Sequence, residues 1–379
     1  MLDIQIHTEN TETIQRVQEN EFSVPLLLVI NVTVMILFGL CMLYSTSSGL
    51  EKIGQKFFLK QLLWATMGSV AAATICLIGY KKLIKYSIVI LAFCMLGLGM
   101  ALLSPEVNGA RRWIRMPGFS LQPSEFAKIA LLLYLSGFLA KRQRFMNSFE
   151  GLFPVFIWIG ATLILIILGE DLGTTLLLTG SVVAIFFIAG LKLRWFALGL
   201  LFPPALLIFI KLFDPMRWGR LTYFLDPESV HKAQGYQLWN SLLALGSGGI
   251  YGLGFTKSRM KAMYLPEAHT DFILSIIGEE LGFIGIFIII FMYLVILICG
   301  LKISMAAKDK AGMLLGSGIT LMISAQALIN LGVVSGAFPT KGMPAPFISY
   351  GGSNMLSCLC GLGLLLSIHI ENKKDLEGI

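Results

Sequence analysis

The sequence predicts an all-α fold: a polytopic integral membrane protein with about ten transmembrane helices and one long extracytoplasmic loop. Of its 379 residues, 56% are hydrophobic and only 13% are charged, roughly half the charged share of a soluble domain. The mean hydropathy is +0.79. So few charged side chains cannot cover a soluble globule of this size, which excludes an ordinary cytosolic enzyme, a disordered protein and a disulfide scaffold.

Apolar runs long enough to cross a bilayer define the predicted spans. They lie near 24–46, 62–80, 86–103, 124–140, 152–168, 172–190, 195–212, 272–300, 312–333 and 349–369. We expect a polar cytoplasmic N-terminal tail over 1–22 without a cleavable signal peptide, a transmembrane domain over 23–371 and a cytoplasmic C-terminal tail over 372–379. The distribution of Lys and Arg favours this orientation only slightly, because the outer segments are about as basic as the inner ones.

The long loop is predicted over 213–271, and it is rich in Gly and in basic residues. Within it, 236–245 places Leu238, Leu242 and Leu245 on one helical face, which suits a helix lying in the membrane interface. The six cysteines and four histidines show no metal-ligand spacing, and no basic run carries interleaved aromatics. We therefore predict no metal site and no nucleic-acid binding.

Charged residues at membrane depth are costly, so they are the informative ones. Pro123 suits the first turn of a helix, and Glu125 and Lys128 are three residues apart on one face of that helix. Two interpretations stay open. The pair could neutralise itself inside the bundle, or Lys128 could point into a cavity and bind an anionic substrate.

A second charged segment, Tyr264–Asp271, precedes an apolar run. Thr270 is predicted to cap a helix, which places Asp271 in the first turn, where the helix dipole favours a carboxylate. A position at the start of a helix could by itself explain why an acid stands at residue 271. Against this, a stripe of small residues that faces protein or water, not acyl chains, follows Asp271 at helical spacing. Its members are Ser275, Gly278 and Gly282.

Two further groups of charges remain. Glu279 and Glu280 are adjacent acids inside a span, and we expect them to bond neighbouring helices. Arg217 and Arg220 lie in the long loop with Lys257, Arg259 and Lys261. These basic residues form either a solvated face beside anionic lipid or a clamp for phosphate or pyrophosphate.

Several of these segments resemble the SEDS family (shape, elongation, division and sporulation). Asn108–Ile114 with Gln122–Lys128 is similar to its first outer-loop signature, and Asp171–Thr175 to its D-L-G-T element. Its long-loop and C-terminal signatures resemble Gly235–Gln237, Ser241, Leu265–Ile273, Gly342, Pro344 and Pro346–Ser353. The sequence departs from the family at Gly169–Glu170, where Pro is common before Asp171, and at Ala345 and Asn354. These departures concern loop details and none touches Asp271.

The resemblance implies a ten-span peptidoglycan glycosyltransferase that polymerises lipid II, an undecaprenyl pyrophosphate carrying a disaccharide peptide, on the outer face of the cytoplasmic membrane. Membrane lipid, a class B penicillin-binding protein and other divisome proteins are the implied partners. Pro266–His269 and Phe338–Gly342 look more like the division-type FtsW branch than the elongation-type RodA branch. We therefore expect septal wall synthesis during cell division, at the division septum.

By the same resemblance, Asp271 matches the family's acid and is the expected general base. The expected substrate-binding residues are Arg111, Trp113, Lys128, Arg217, Arg220, Glu267 and His269. The cations would stabilise the leaving diphosphate, while Glu267 and His269 would orient the loop or a sugar. No ligand cluster demands a metal, although a divalent cation bridging the diphosphate is compatible with this chemistry.

Three alternative functions share some of these features. A lipid II flippase would use the same cavity, but it needs an alternating-access core, and the sequence shows no inverted repeat. A scaffold that only recruits the synthase would not need to retain costly intramembrane charges. A RodA-like elongation polymerase is the alternative within the family.

Overall fold

The computed structural model describes residues 2–47, 51–106, 109–116, 119–142, 148–192, 195–196, 208, 211–212, 218–219, 235–261, 265–340 and 342–377. Its helices are α1 (Leu2–Ser47), α2 (Glu51–Ile78), α3 (Tyr80–Lys85), α4 (Ser87–Leu102), α5 (Pro123–Lys141), α6 (Phe149–Leu168), α7 (Leu172–Ala189), α8 (Tyr236–Gly248), α9 (Ile273–Met305), α10 (Lys310–Val334) and α11 (Gly352–Glu377). A short antiparallel ribbon of β1 (Ile114–Met116) and β2 (Phe119–Leu121) lies between α4 and α5. This ribbon is an addition to the predicted all-helical fold.

Within the described residues, eight helices are long and apolar enough to cross a bilayer, and they correspond to eight of the predicted spans. The predicted span at 86–103 corresponds to α4, which has only 16 residues and a length of about 24 Å. The predicted span at 195–212 lies mostly outside the described residues and stays a prediction. The polar segment before the first span is helical and continuous with it in α1.

Helix α5 lies at the centre of the bundle, where it packs against α4, α6, α7, α10 and α11. Between Pro123 and Gly137 it is buried except at Phe126. Small residues allow neighbouring helices to approach closely, as at Gly363 of α11 against the backbone of Ala72 in α2. The charges at the start of α5 are therefore enclosed by other helices and not by lipid.

Helix α8 forms where the long loop was predicted to be helical, but its leucine face does not lie free in the membrane interface. Leu238 and Leu242 are the side chains nearest to Gly336, and a Cβ on Gly278 would overlap the Leu245 side chain. These glycines leave room for the leucines, so α8 packs on α9 and α10. The long loop is thereby attached to the bundle directly beside the start of α9.

Candidate functional site

Asp271 lies at the end of a compact turn, Leu265–Phe272, that leads into α9. Glu267 has a positive φ of 56°, and its carbonyl accepts hydrogen bonds from the N–H groups of Thr270 (3.1 Å) and Phe272 (3.3 Å). The Thr270 hydroxyl donates to the carbonyl and the carboxylate of Glu267. The prediction that Thr270 caps α9 is therefore wrong, because the turn uses its hydroxyl and the helix begins later.

The Asp271 carboxylate faces Gly342 in the loop before α11. A Cβ on Gly342 would lie 2.8 Å from Asp271 Oδ2 and 4.0 Å from Arg112 Nη2, so the carboxylate and the guanidinium lie near each other. Burial, reinforced by the negative charge of Glu267, raises the pKa of Asp271 to about 7, and Arg112 opposes this rise. Asp271 is thus a carboxyl group that titrates near neutral pH.

Arg112 also contacts a second acid. Its Nη1 lies 3.8 Å from Oδ1 of Asp171, the N-cap residue of α7. Asp171 accepts hydrogen bonds from Gln122 Nε2 (2.8 Å), the Ser124 hydroxyl (3.1 Å) and a backbone N–H in the first turn of α7 (3.1 Å). These bonds fix Asp171, and Asp171 in turn holds Arg112 between the two carboxylates.

A small cavity lies beside this cluster, near the outer-loop arginines. It is lined by Leu98, Ala101, Arg111, Arg112, Ser124, Leu165, Ile166, Gly169 and Asp171. Arg111 is exposed and Arg112 is partly buried. The cavity therefore combines two arginines and an aspartate with apolar walls.

Lys128 lies elsewhere. Its side chain is 2% exposed, and the amine pairs with Glu125 Oε2 at 3.0 Å. Gln326 Oε1 accepts a further hydrogen bond of 3.1 Å from the amine. The Ser357 hydroxyl of α11 donates a hydrogen bond to the acid of the pair, at Glu125 Oε2. This is the arrangement of a self-neutralising pair that joins α5, α10 and α11. A contact between Lys128 and substrate would require the amine to leave these partners, and it stays a prediction.

His269 is part of an aromatic stack. Its ring lies 4.7 Å from that of Phe57 in α2, nearly parallel to it, and its carbonyl accepts a 3.0 Å hydrogen bond from the N–H of Tyr350. Burial lowers the pKa of His269, opposed by the charge of Glu267. A neutral imidazole at pH 7 fits a positioning role better than that of a cation.

The remaining predicted site residues are less constrained. Trp113 is partly exposed next to β1, and Glu267 is exposed at the turn. Arg217 and Arg220 lie outside the described residues. The structure thus places Glu267 and His269 in the same turn as Asp271, whereas Arg111 lines the neighbouring cavity and its sequence neighbour Arg112 lies near the Asp271 carboxylate.

Helix α9 is broken at Gly282, which has φ 68° and ψ −163°. The segment Gly249–Gly254 of the long loop fills the break. Two of its N–H groups donate to the carbonyls of Glu279 and Glu280, and two N–H groups after the break donate to carbonyls of the segment, all between 2.9 and 3.3 Å. The last carbonyls of the half-helix between Asp271 and Gly282 therefore accept hydrogen bonds from the loop, as in broken membrane helices that line binding sites.

Glu279 and Glu280 both bond residues of the same long loop. Glu280 accepts hydrogen bonds from the Ser45 hydroxyl of α1 (2.6 Å) and from Lys261 Nζ (2.9 Å), which confirms a bond to a neighbouring helix. Glu279 instead bonds the long loop, at the Ser258 hydroxyl and the N–H of Arg259. The stripe that starts at Asp271 faces protein, as predicted, since its members are buried.

Two site residues were not singled out from the sequence, Arg112 and Asn330. Arg112 is adjacent to Arg111, and only the backbone conformation shows which of the two faces Asp271. Asn330 is a polar residue inside a predicted span, four residues after Gln326, and both are 1% exposed. Polar side chains on one face of an apolar helix are a usable signal for interhelical bonds.

Comparison with known proteins supports the SEDS resemblance over most of the chain. The family model for FtsW, RodA and SpoVE, described as "Cell cycle protein", matches residues 25–374. A probable peptidoglycan glycosyltransferase FtsW of Geobacter sp. (strain M18) is 37% identical over 342 residues, covering 87% of this chain and 92% of that protein. The stage V sporulation protein E of Bacillus subtilis (strain 168) is 37% identical over 352 residues, covering 90% and 96%.

Solved structures agree with these relatives. The crystal structure of the rod shape determining protein RodA of Thermus thermophilus has a TM-score of 0.69 at 26% identity, covering 91% of this chain and 96% of that one. A chain from a peptidoglycan synthase complex that coordinates polymerization and crosslinking has a TM-score of 0.77 at 27% identity, covering 92% and 98%. The resemblance seen in the sequence is confirmed: this multi-pass membrane protein belongs to the SEDS family of FtsW, RodA and SpoVE, and it is most like FtsW.

Proposed function

We propose that this chain is a peptidoglycan glycosyltransferase that polymerises lipid II into glycan strands on the outer face of the cytoplasmic membrane. Relatives with more than a third of their residues identical are named for peptidoglycan glycosyltransferase activity. One observation in the structure carries the proposal. A carboxyl group with a pKa of about 7 lies near a guanidinium, at the head of a buried half-helix.

Strand extension requires a base and a way to stabilise the leaving group. An acceptor sugar hydroxyl attacks the anomeric carbon of the donor, and a new C–O bond forms while the bond to the lipid pyrophosphate breaks. The electron pair of that bond leaves with the diphosphate, and Asp271 takes the hydroxyl proton. A base with a pKa of about 7 suits proton transfer near neutral pH. A single displacement of this kind inverts the anomeric centre.

The arginines supply the opposite charge. Arg111 and Arg112 line the cavity, and their N–H groups match the oxygens of a diphosphate. Arg217 and Arg220, from the part of the long loop that the structure does not describe, would add to them. Glu267 and His269 orient the turn or a sugar, and Trp113 contributes a face for the disaccharide.

The partner follows from the same comparisons. The peptidoglycan synthase complex that contains a similar chain coordinates polymerization with crosslinking. We therefore propose a class B penicillin-binding protein as the partner that crosslinks the strands made here. The similarity to FtsW supports a role in septal wall synthesis with other divisome proteins, at the division site.

The test is glycan strand formation from lipid II by the purified chain with its partner. Asp271→Asn and Asp271→Ala are expected to abolish polymer, because neither side chain can accept the proton. Glu106→Gln, at an exposed carboxylate in the first outer loop, serves as the matched control. Wild-type polymerisation by a folded Asp271 variant would overturn the assignment of the base. Translocation of labelled lipid II without polymer would favour a flippase instead.

A further inference from the structure

We infer that Asn330 is a positioning residue that fixes the backbone of Asp271 against the loop before α11. This inference rests on the proposed function. Asn330 lies in α10, and its Nδ2 donates to the backbone carbonyls of Asp271 (2.9 Å) and Met343 (2.7 Å). Because both partners are carbonyl oxygens, the group that faces them must be the amide NH₂.

The two carbonyls belong to the two segments that meet at the candidate base. The Asp271 carboxylate packs on Gly342, and Met343 is the next residue. One buried side chain therefore holds both sides of this contact. Among the described residues, none donates a hydrogen bond to the Asp271 carboxylate itself, so its location depends on how firmly its backbone is held.

The chemistry of the amide is specific to this task. Oδ1 of Asn330 is buried and has no hydrogen-bond partner among the described residues, so the bonds made there are those of Nδ2. Aspartate would place an oxygen against two carbonyl oxygens, and leucine would fill the space without a donor. Gln326, one turn earlier, donates in the same way to the carbonyl of Pro344 at 2.9 Å. Helix α10 thus presents two amides to the loop before α11, and Asn330 is the one that also reaches Asp271.

The experiment compares Asn330→Leu and Asn330→Asp with the wild type, each as the full chain with its partner. Steady-state polymerisation of lipid II is measured across pH and expressed per folded protein. We expect Asn330→Leu to lower kcat by about 10- to 100-fold, since a general base is sensitive to sub-ångström displacement, with KM within about threefold. Asn330→Asp should also move the acidic limb of the pH profile upward. A new negative charge adds to that of Glu267 and opposes Arg112, the charged groups that face Asp271.

Asn372→Leu is the matched control. Asn372, in α11, is another buried asparagine that bridges backbone groups. It donates to the carbonyl of Ala306 (3.1 Å) and accepts from the N–H of Lys308 (3.2 Å) in the segment before α10, whereas Asn330 lies near the end of α10. It should lower the melting temperature like Asn330→Leu and leave kcat within about twofold. If Asn330→Leu does not fold, Asn330→Ala decides the matter by the same measurements.

Asp271→Asn is assayed in parallel, so that the two ideas can fail separately. If Asp271→Asn is active, the proposed base is wrong. If Asp271→Asn is inactive while the Asn330 variants keep the wild-type kcat and pH profile, only the positioning role is overturned. Equal losses of kcat for the Asn330 and Asn372 variants would also overturn it.

Discussion

Replacing Gly342 with alanine tests how closely the reaction depends on the location of the Asp271 carboxylate. The added Cβ would lie 2.8 Å from Asp271 Oδ2, about 0.5 Å inside ordinary van der Waals separation. Asn330 holds the adjacent carbonyl of Met343, so we expect the carboxylate to yield and not the loop. A shift of this size at a general base should lower kcat about 10-fold, given that misplacement by about 1 Å costs about 100-fold.

The control for this prediction is Gly351→Ala in the same loop. Its Cβ would meet no atom closer than 3.6 Å, which is ordinary contact. Both changes remove a glycine, so their effects on the unfolded chain are matched. The assay is steady-state strand formation from lipid II, per folded protein and with the partner present. Equal rates for the two variants would refute the claim that the Asp271 carboxylate must stay where it is.

Four further predictions concern charged residues and backbone conformation. Because the pKa of Asp271 is raised to about 7 and the base must be deprotonated, the rate should fall as pH decreases through 7. Arg112→Gln removes the opposing positive charge and should move that limb of the pH–rate profile upward. Gly282→Ala forces an L-residue to φ 68° and should lower the free energy of unfolding by about 1–3 kcal/mol in detergent. Lys261→Met leaves Glu280 buried without its cation. This change should lower the free energy of unfolding by about 3–5 kcal/mol. Adding Glu280→Leu should recover most of that loss.

Much of the fold could be predicted because a membrane span must satisfy its own backbone hydrogen bonds. Each apolar run of sufficient length is then a helix whatever it packs against. Eight described helices match predicted spans for this reason. The placement of α8 could not be predicted in the same way, since an apolar face suits a lipid interface and a protein neighbour equally. The glycines at 278 and 336 that receive its leucines come from distant parts of the chain.

The break at Gly282 could not be predicted from the sequence pattern either. The apolar run continues on both sides of Gly282, and a glycine in a helix is as consistent with close packing as with a kink. What decides the outcome is the segment Gly249–Gly254, whose backbone groups replace the missing helical bonds. The charge of Lys128 was similarly ambiguous, because a pair three residues apart can be formed or separated depending on α10 and α11.

The carboxylates of this chain differ in how many partners they have, and this difference supports the proposal that Asp271 is the base. Glu280 has the Lys261 amine and a hydroxyl, Glu125 has Lys128 and a hydroxyl, and Asp171 has three hydrogen-bond donors besides Arg112. Each of these three carboxylates is fixed in place by the groups that bond it. Asp271 receives no hydrogen bond on its carboxylate from the described residues, and it has a guanidinium near it but not in contact. Desolvation without full compensation raises its pKa, which is the condition for a base that works near neutral pH. The same lack of partners explains why its position must be fixed through the backbone.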